Sequence, residues 1–296
     1  MYFFRIYVIL YTEYVFVITC DIIKRERSAI RMKRRRLSVI IGFIVVFFTA
    51  AFTASLSVCA VELPPHLIQT VTEQDIYEGM LALGYLVTPV SENVDCAKAY
   101  DNVKDCVVSI RMGNAYGSGI IWELTPERIV IVTNKHVLEY WKEENGYVHF
   151  PQGFDVDAQV LGTSEQFDVG FVAVSGRQFT YEELQTIRSA RVDREAYESL
   201  GQGAEMFLVY AGFTEEERQY YEGTVEDPYR YIEELDADML YGYCFAKAGM
   251  SGGGTFDGRG CLIGMTTAGT RQNEVVSVPV WHIDLAYQEV VADIGG

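Results

Sequence analysis

Lys247-Ala-Gly249-Met-Ser251-Gly252-Gly253-Gly254 sets one serine in a glycine-rich turn. A serine hydroxyl is a poor nucleophile until a neighbouring imidazole can take its proton. Two stretches upstream supply the partners. Ile129-Val-Ile-Val-Thr-Asn-Lys-His136-Val-Leu reads as a buried strand that delivers a histidine at its end. Gln166-Phe-Asp168-Val-Gly-Phe-Val-Ala-Val places an aspartate at the mouth of an apolar strand. An imidazole acting as general base needs a carboxylate to fix its tautomer and to stabilise the imidazolium as it forms. The glycines let the backbone turn so that the amides of Gly249 and Ser251 converge on one oxygen, where each donor is worth roughly 3–4 kcal/mol in such a site. Singly the motifs are weak. A lone histidine on an apolar strand is usually a core residue, a lone aspartate before a strand is usually a turn residue, and a Gly-x-Ser-Gly-Gly turn is often a plain loop. Together, in the order His, Asp, Ser, they point to acyl-transfer chemistry.

The surrounding texture is that of strands. Short apolar runs rich in Val, Ile, Phe and Tyr, cut by turns, predict strands over 107–112, 119–122, 129–133, 148–150 and 170–174. After a polar interruption over 177–200, strands resume at 206–210, 223–225, 240–246, 261–267 and 275–280. Ahead of them, Thr72-Glu-Gln-Asp75 is a capping-box pattern that opens a short helix. At the far end Ile283, Ala286, Tyr287, Val290, Val291 and Ile294 recur at helical spacing, giving a terminal helix with one apolar face. Many short strands and a closing helix favour an all-β barrel architecture over a parallel sheet.

Four of these stretches carry a specific resemblance. Gly117-Ser-Gly-Ile-Ile, Thr133-Asn-Lys-His136-Val, Asp168-Val-Gly-Phe-Val and Gly249-Met-Ser251-Gly-Gly resemble the trypsin-like (chymotrypsin-fold) serine peptidases, closest to the bacterial Deg/HtrA-type protease domains, over about residues 105–292. The resemblance implies two six-stranded antiparallel β-barrels with the site in the cleft between them. It implies His136 as general base, Asp168 as orienting carboxylate, Ser251 as nucleophile, and the Gly249 and Ser251 amides as oxyanion donors, with no cofactor. Met265-Thr-Thr-Ala-Gly269 stands where the family binds substrate backbone, so Thr267, Ala268 and Gly269 are expected to bind substrate, and Thr266 or Thr267 to reach Asp168. Phe245 and Ala246 stand at the side-chain pocket, which is expected to be neutral, small to medium, and suited to apolar P1 residues. Met250 replaces the aspartate of the digestive members, so activation by zymogen cleavage is not expected. No residues follow 296 for a PDZ domain. His66, His149 and His282 are read as structural.

The charge distribution sets the partners. The 296 residues carry a net charge of −17, yet residues 1–60 hold nine basic side chains against three acids, +6, which leaves −23 for the remainder. So acidic a body repels phosphate backbones, which argues against nucleic acid and leaves polypeptides as the expected substrates. Arg34-Arg35-Arg36 leads straight into a charge-free run from Leu37 to Val61. About 20 apolar residues cross a bilayer, and basic residues stay on the cytoplasmic side. The expected organisation is therefore a basic segment over 1–36, a signal peptide or transmembrane helix over 37–61, a linker with short helices over 62–104, and the catalytic domain over 105–296 outside the cytoplasm. Cleavage at Val58-Cys59-Ala60 and retention as an anchor both fit. Cys96, Cys106, Cys244 and Cys261 remain in the exported part; two disulfides, 96–106 and 244–261, are expected there, the competing reading being four small buried hydrophobes. Glu215–Asp238, with ten acids and four tyrosines, reads as a solvated loop.

Two other functions compete. One is a catalytically silent domain of this fold that only binds peptides or proteins. The other is an extracellular adhesion module built on the acidic, tyrosine-rich loop.

Overall fold

The alternating texture that begins after Cys106 closes, in the computed structural model, into two six-stranded antiparallel barrels. The structure describes residues 71–113, 115–142, 146–212 and 219–295. The span expected over 37–61 lies outside these residues, and among them no helix is long and apolar enough to cross a membrane.

Barrel 1 is built from β1 (Val107–Met112), β2 (Ala115–Leu124), β3 (Arg128–Thr133), β4 (Gly146–His149), β5 (Asp155–Thr163) and β6 (Gly170–Ser175), closed in the order β1-β2-β3-β6-β5-β4. Barrel 2 uses β7 (Glu205–Tyr210), β8 (Gln219–Ile232), β9 (Ala237–Tyr243), β10 (Gly254–Asp257), β11 (Leu262–Gly269) and β12 (Glu274–Pro279), closed as β10-β11-β12-β9-β8-β7. Full closure removes the unpaired edges that an open sheet would expose. Barrel 1 is filled by Val108, Ile110, Ile121, Ile129, Ile131, Val148, Val172 and Val174, and barrel 2 by Phe207, Val209, Met239, Leu240, Phe256, Ile263, Met265 and Val278.

Among the described residues, six α-helices dress the barrels. They are α1 (Glu73–Ala82), α2 (Cys96–Val103), α3 (Lys135–Leu138), α4 (Tyr181–Leu184), α5 (Arg194–Glu198) and α6 (Val280–Gly295). The capping box at Thr72 is present, with Thr72 and Asp75 exchanging side-chain to backbone hydrogen bonds. The stretch that precedes barrel 1 reaches both barrels. Tyr77 of α1 and Leu86 lie in the barrel 1 core. Further on, Ser91 and Asp95 donate backbone N–H groups to Arg259 and Gly258 in the β10–β11 turn, and Ala99 and Val103 share the barrel 2 core. The helix that follows barrel 2 packs back on barrel 1, where Val290 leaves room at Gly162 of β5 for no side chain larger than hydrogen without a shift. Ile283, Ala286 and Val290 are its buried face.

Two expectations need correction. All four cysteines are buried and none is in a disulfide. Cys96 opens α2 while Cys106 lies beyond its other end, and a helix rising 1.5 Å per residue carries them well past the roughly 7 Å that a disulfide tolerates between Cα atoms. Cys244 follows Tyr243, which pairs with Glu274 at the start of β12, whereas Cys261 lies beyond Gly264, which pairs with Pro279 at its end. They therefore sit at opposite ends of the sheet. Burial raises the Cys96 and Cys261 thiols to about 11 and Cys244 to about 12, so none of these three is poised to react. The acidic stretch is not a loop. Its described part, from 219 on, forms β8, a short 3₁₀ turn and the start of β9, a long hairpin that Pro228 marks with a bulge and that turns Glu222, Tyr229 and Tyr231 to solvent.

Candidate active site

Strand register brings the chemistry together. β3 pairs with β6 through Thr133 and Gly170. His136 stands three residues after Thr133 and Asp168 two before Gly170, so both project past the same end of that pair. β10 pairs with β11 through Gly254 and Met265. Ser251 stands three residues before Gly254 and Thr267 two after Met265, so they leave barrel 2 in the same manner.

The Asp168 carboxylate is spent entirely on this cluster. One oxygen accepts from the backbone N–H of His136 at 3.0 Å, and the other meets His136 Nδ1 at 2.8 Å. The Thr267 hydroxyl donates to that second oxygen, tying barrel 2 to the pair. The Asn134 amide holds the Asp168 carbonyl at 3.1 Å. Burial of Asp168 works to raise its pKa, but the hydrogen bonds from the His136 ring, from Thr267 and from the His136 backbone outweigh it, and the carboxyl titrates below 3.8. The same hydrogen bond to Asp168 raises His136 above 6.5 against the opposing effect of burial, with Glu139 adding to the rise. Nδ1 is thereby committed, and Nε2 is the ring nitrogen left for a hydroxyl. Asp155, a nearby carboxylate, is engaged elsewhere, paired with His149 at 2.6 Å, and Asp157 exchanges backbone hydrogen bonds with the Gln178 side chain.

The serine turn is fixed by backbone. Ser118 on β2 donates its N–H to the Ser251 carbonyl at 2.9 Å, and Gly252 donates to Thr266 at 3.0 Å. Gly249 has φ +91°, and a Cβ there would stand 2.9 Å from the Tyr116 ring. Gly252 has φ +82°, and a side chain would collide with the Ser118 carbonyl. Met250 is buried beneath the turn, where its sulfur receives the Lys247 N–H at 3.2 Å. Among the described residues, the N–H groups of Gly249 and Ser251 donate to no acceptor.

Two cavities meet at Ser251. One, of about 390 Å³, is lined by Ser251, His136, Gly249, Tyr116 and Val137. No hydrogen bond joins the Ser251 hydroxyl to His136 among the described residues, as is common where no substrate closes the geometry. The other, of about 580 Å³, runs between the 245–251 segment and β11 and is lined by Phe245, Ala246, Ser251, Thr267, Ala268 and Gly269. All five residues expected to bind substrate therefore share one cavity with the serine. Lys247 and Arg271 also line it, and its described lining residues include no carboxylate. No local motif marks Arg271, which arrives from the turn after β11. Sequence reasoning also missed Ser118 and Asn134, whose positioning roles depend on cross-strand neighbours that no local motif reveals.

Known proteins agree with this fold. Solved structures of the HtrA-type protease AlgW are similar to this chain. The one with a decapeptide matches at TM-score 0.57 and 17% identity, over 67% of this chain and 68% of that one. The one with a tripeptide matches at TM-score 0.57 and 19% identity, over 67% and 64%. At such identities the likeness is one of fold. No curated protein matches the chain. A family model described as a trypsin-like peptidase domain matches residues 117–265, half of the chain. That span begins at Gly117 on β2, runs through His136 and Asp168, and ends at Met265 on β11 just past the serine turn; the chain belongs to the trypsin-like peptidase domain family.

Proposed function

We propose that the protein is a serine endopeptidase that cleaves polypeptides outside the cytoplasm. Ser251 Oγ attacks the scissile carbonyl carbon and passes its proton to His136 Nε2, while the carbonyl oxygen takes the negative charge and accepts hydrogen bonds from the Gly249 and Ser251 amides. The tetrahedral adduct collapses, the C–N bond breaks, and the leaving amine departs with the proton from His136. Water, deprotonated by His136, then cleaves the ester on Ser251. Asp168 stays ionised throughout and holds the imidazole. The observation that carries this reading is the Asp168 carboxylate, which grips both the ring and the backbone of His136 and so dedicates one ring nitrogen to the cleft that Ser251 lines.

A fluorophosphonate probe tests the assignment. The purified protein should be labelled and should cleave casein-like substrates, whereas Ser251→Ala and His136→Ala should lose both properties while staying folded. The double variant should be scarcely worse than either alone, because such residues act as a unit. Normal hydrolysis by Ser251→Ala would remove the assignment. A folded wild type that binds peptides but takes no label would instead favour the silent binding module.

A further inference from the structure

The turn that carries Asp168 is clasped from outside barrel 1. Ser164, fully buried, ends β5, and its N–H donates to Val169 across the turn at 2.9 Å. Its hydroxyl accepts the N–H groups of Gln166 and Phe167, both at 3.2 Å, the local pattern by which serine organises a turn. The same hydroxyl donates its proton to Glu289 of α6 at 2.7 Å, and the second Glu289 oxygen accepts the Glu165 N–H at 3.1 Å. Lys135, the neighbour of His136, donates its ammonium to the Ser164 carbonyl at 2.9 Å. Phe167, next to Asp168, stacks on His282 of the same helix with ring centroids 4.0 Å apart. Ser164 is thus a node that touches the chain beside both members of the His–Asp pair, and a single carboxylate from the last helix holds that node.

We propose that Glu289 is a positioning residue for catalysis: by fastening the Ser164–Asp168 turn to α6, it sets the distance and angle at which Asp168 meets His136. Glu289 touches neither ring nor substrate. Its effect reaches the chemistry through Ser164, and it rests on the peptidase reading only insofar as turnover is the readout. Two acceptor oxygens are needed because two donors converge on it, the Ser164 hydroxyl and the Glu165 amide. Alanine removes both acceptors. Glutamine keeps the shape and one oxygen but turns an NH₂ toward a second donor. The charged groups facing His136 itself are Asp168 and Glu139, and neither is changed.

The test compares wild type, Glu289→Ala and Glu289→Gln. A misplaced catalytic group costs up to about a hundredfold when displaced by about 1 Å, so Glu289→Ala should lower kcat roughly ten- to a hundredfold with KM within about twofold. Glu289→Gln should recover part of that loss. The imidazole titration of His136, followed by NMR, should move down toward the value of a free histidine in Glu289→Ala, because Asp168 no longer sits in register. This second readout needs no activity. If wild type fails to hydrolyse peptides, the peptidase reading falls while the titration still decides the clasp. An unchanged kcat and an unchanged His136 titration in a folded Glu289→Ala protein, with the Glu165 amide newly open to hydrogen exchange, would overturn the proposal. Should Glu289→Ala not fold, Glu289→Gln carries the same decision: a loss of about threefold in kcat with a lowered His136 titration supports the clasp, and wild-type values for both refute it.

Discussion

At the scale of single residues, three motifs written in the chain prove to be three parts of one cluster. His136 and Asp168 were legible because an apolar strand leading into Asn-Lys-His, and an aspartate opening an apolar strand, are both local patterns. Their contact was not legible, since it depends on the β3–β6 register that sets Thr133 opposite Gly170. For the same reason the sequence left Thr266 and Thr267 undecided, and only the pleat of β11 assigns Thr267 to Asp168 and Thr266 to a buried cluster with Thr255. Asp168 predicts a pH profile. A base must be neutral to accept a proton, and the bond to Asp168 holds His136 above 6.5, so kcat/KM should rise with pH through a limb that lies above 6.5. In Asp168→Asn that limb should move down and the plateau should fall by roughly 10⁴-fold, because the amide favours the wrong tautomer. Rate profiles of the two proteins between about pH 5 and 9 decide the matter. If Asp155→Asn produced that loss instead, the orienting carboxylate would be misassigned.

At the scale of elements, the strands that a sequence reader finds are those with continuous apolar runs, such as β1, expected and observed over the same six residues. Those that escape carry their apolar residues singly. In β5 Val156 and Ala158 point inward between outward Asp155 and Asp157, so the acids mask the alternation. β10 is hidden because Gly254 opens it at the end of a glycine run, and what buries it is its partner strands. The long β8–β9 hairpin reads as a loop because seven acids outnumber four tyrosines between Gln219 and Asp238, although strands need only one buried face. Elements also set specificity. The 245–251 segment and the turn after β11 bring Lys247 and Arg271 to the wall of the larger cavity, whose described lining residues include no carboxylate. Lysine and arginine at P1 should therefore be the poorest substrates in a peptide library, at least tenfold below neutral side chains, the cost of about 1.4 kcal/mol of unfavourable charge. A preference for basic P1 residues would show that the cavity is not the P1 pocket.

At the scale of the whole molecule, stability and location follow from groups that the chemistry does not use. His282 is buried against Phe167 and Trp281, and burial lowers its pKa to about 4 from 6.5. The unfolded chain takes up this proton below 6.5 and the folded protein only below about 4, so the associated stability is present above pH 6.5 and is lost as pH falls toward 4. Measured against His282→Phe, wild type should lose about 3 kcal/mol between neutrality and pH 4. A constant difference between the two denaturation curves would count against it. We propose, from the basic block and charge-free run before Val61, that residues 62–296 lie across a membrane from Arg34, Arg35 and Arg36. Protease added to intact cells should reach the catalytic domain, and the mature N-terminus should read near Val61 if a signal is removed, or upstream of Leu37 if an anchor is kept. Full-length protein recovered soluble from the cytoplasm would refute that topology. The last helix carries a mechanical consequence. α6 is held to barrel 1 at Gly162 and, through Glu289, at Ser164. A load applied at that end should therefore peel the helix before it shears the closed strand ladders.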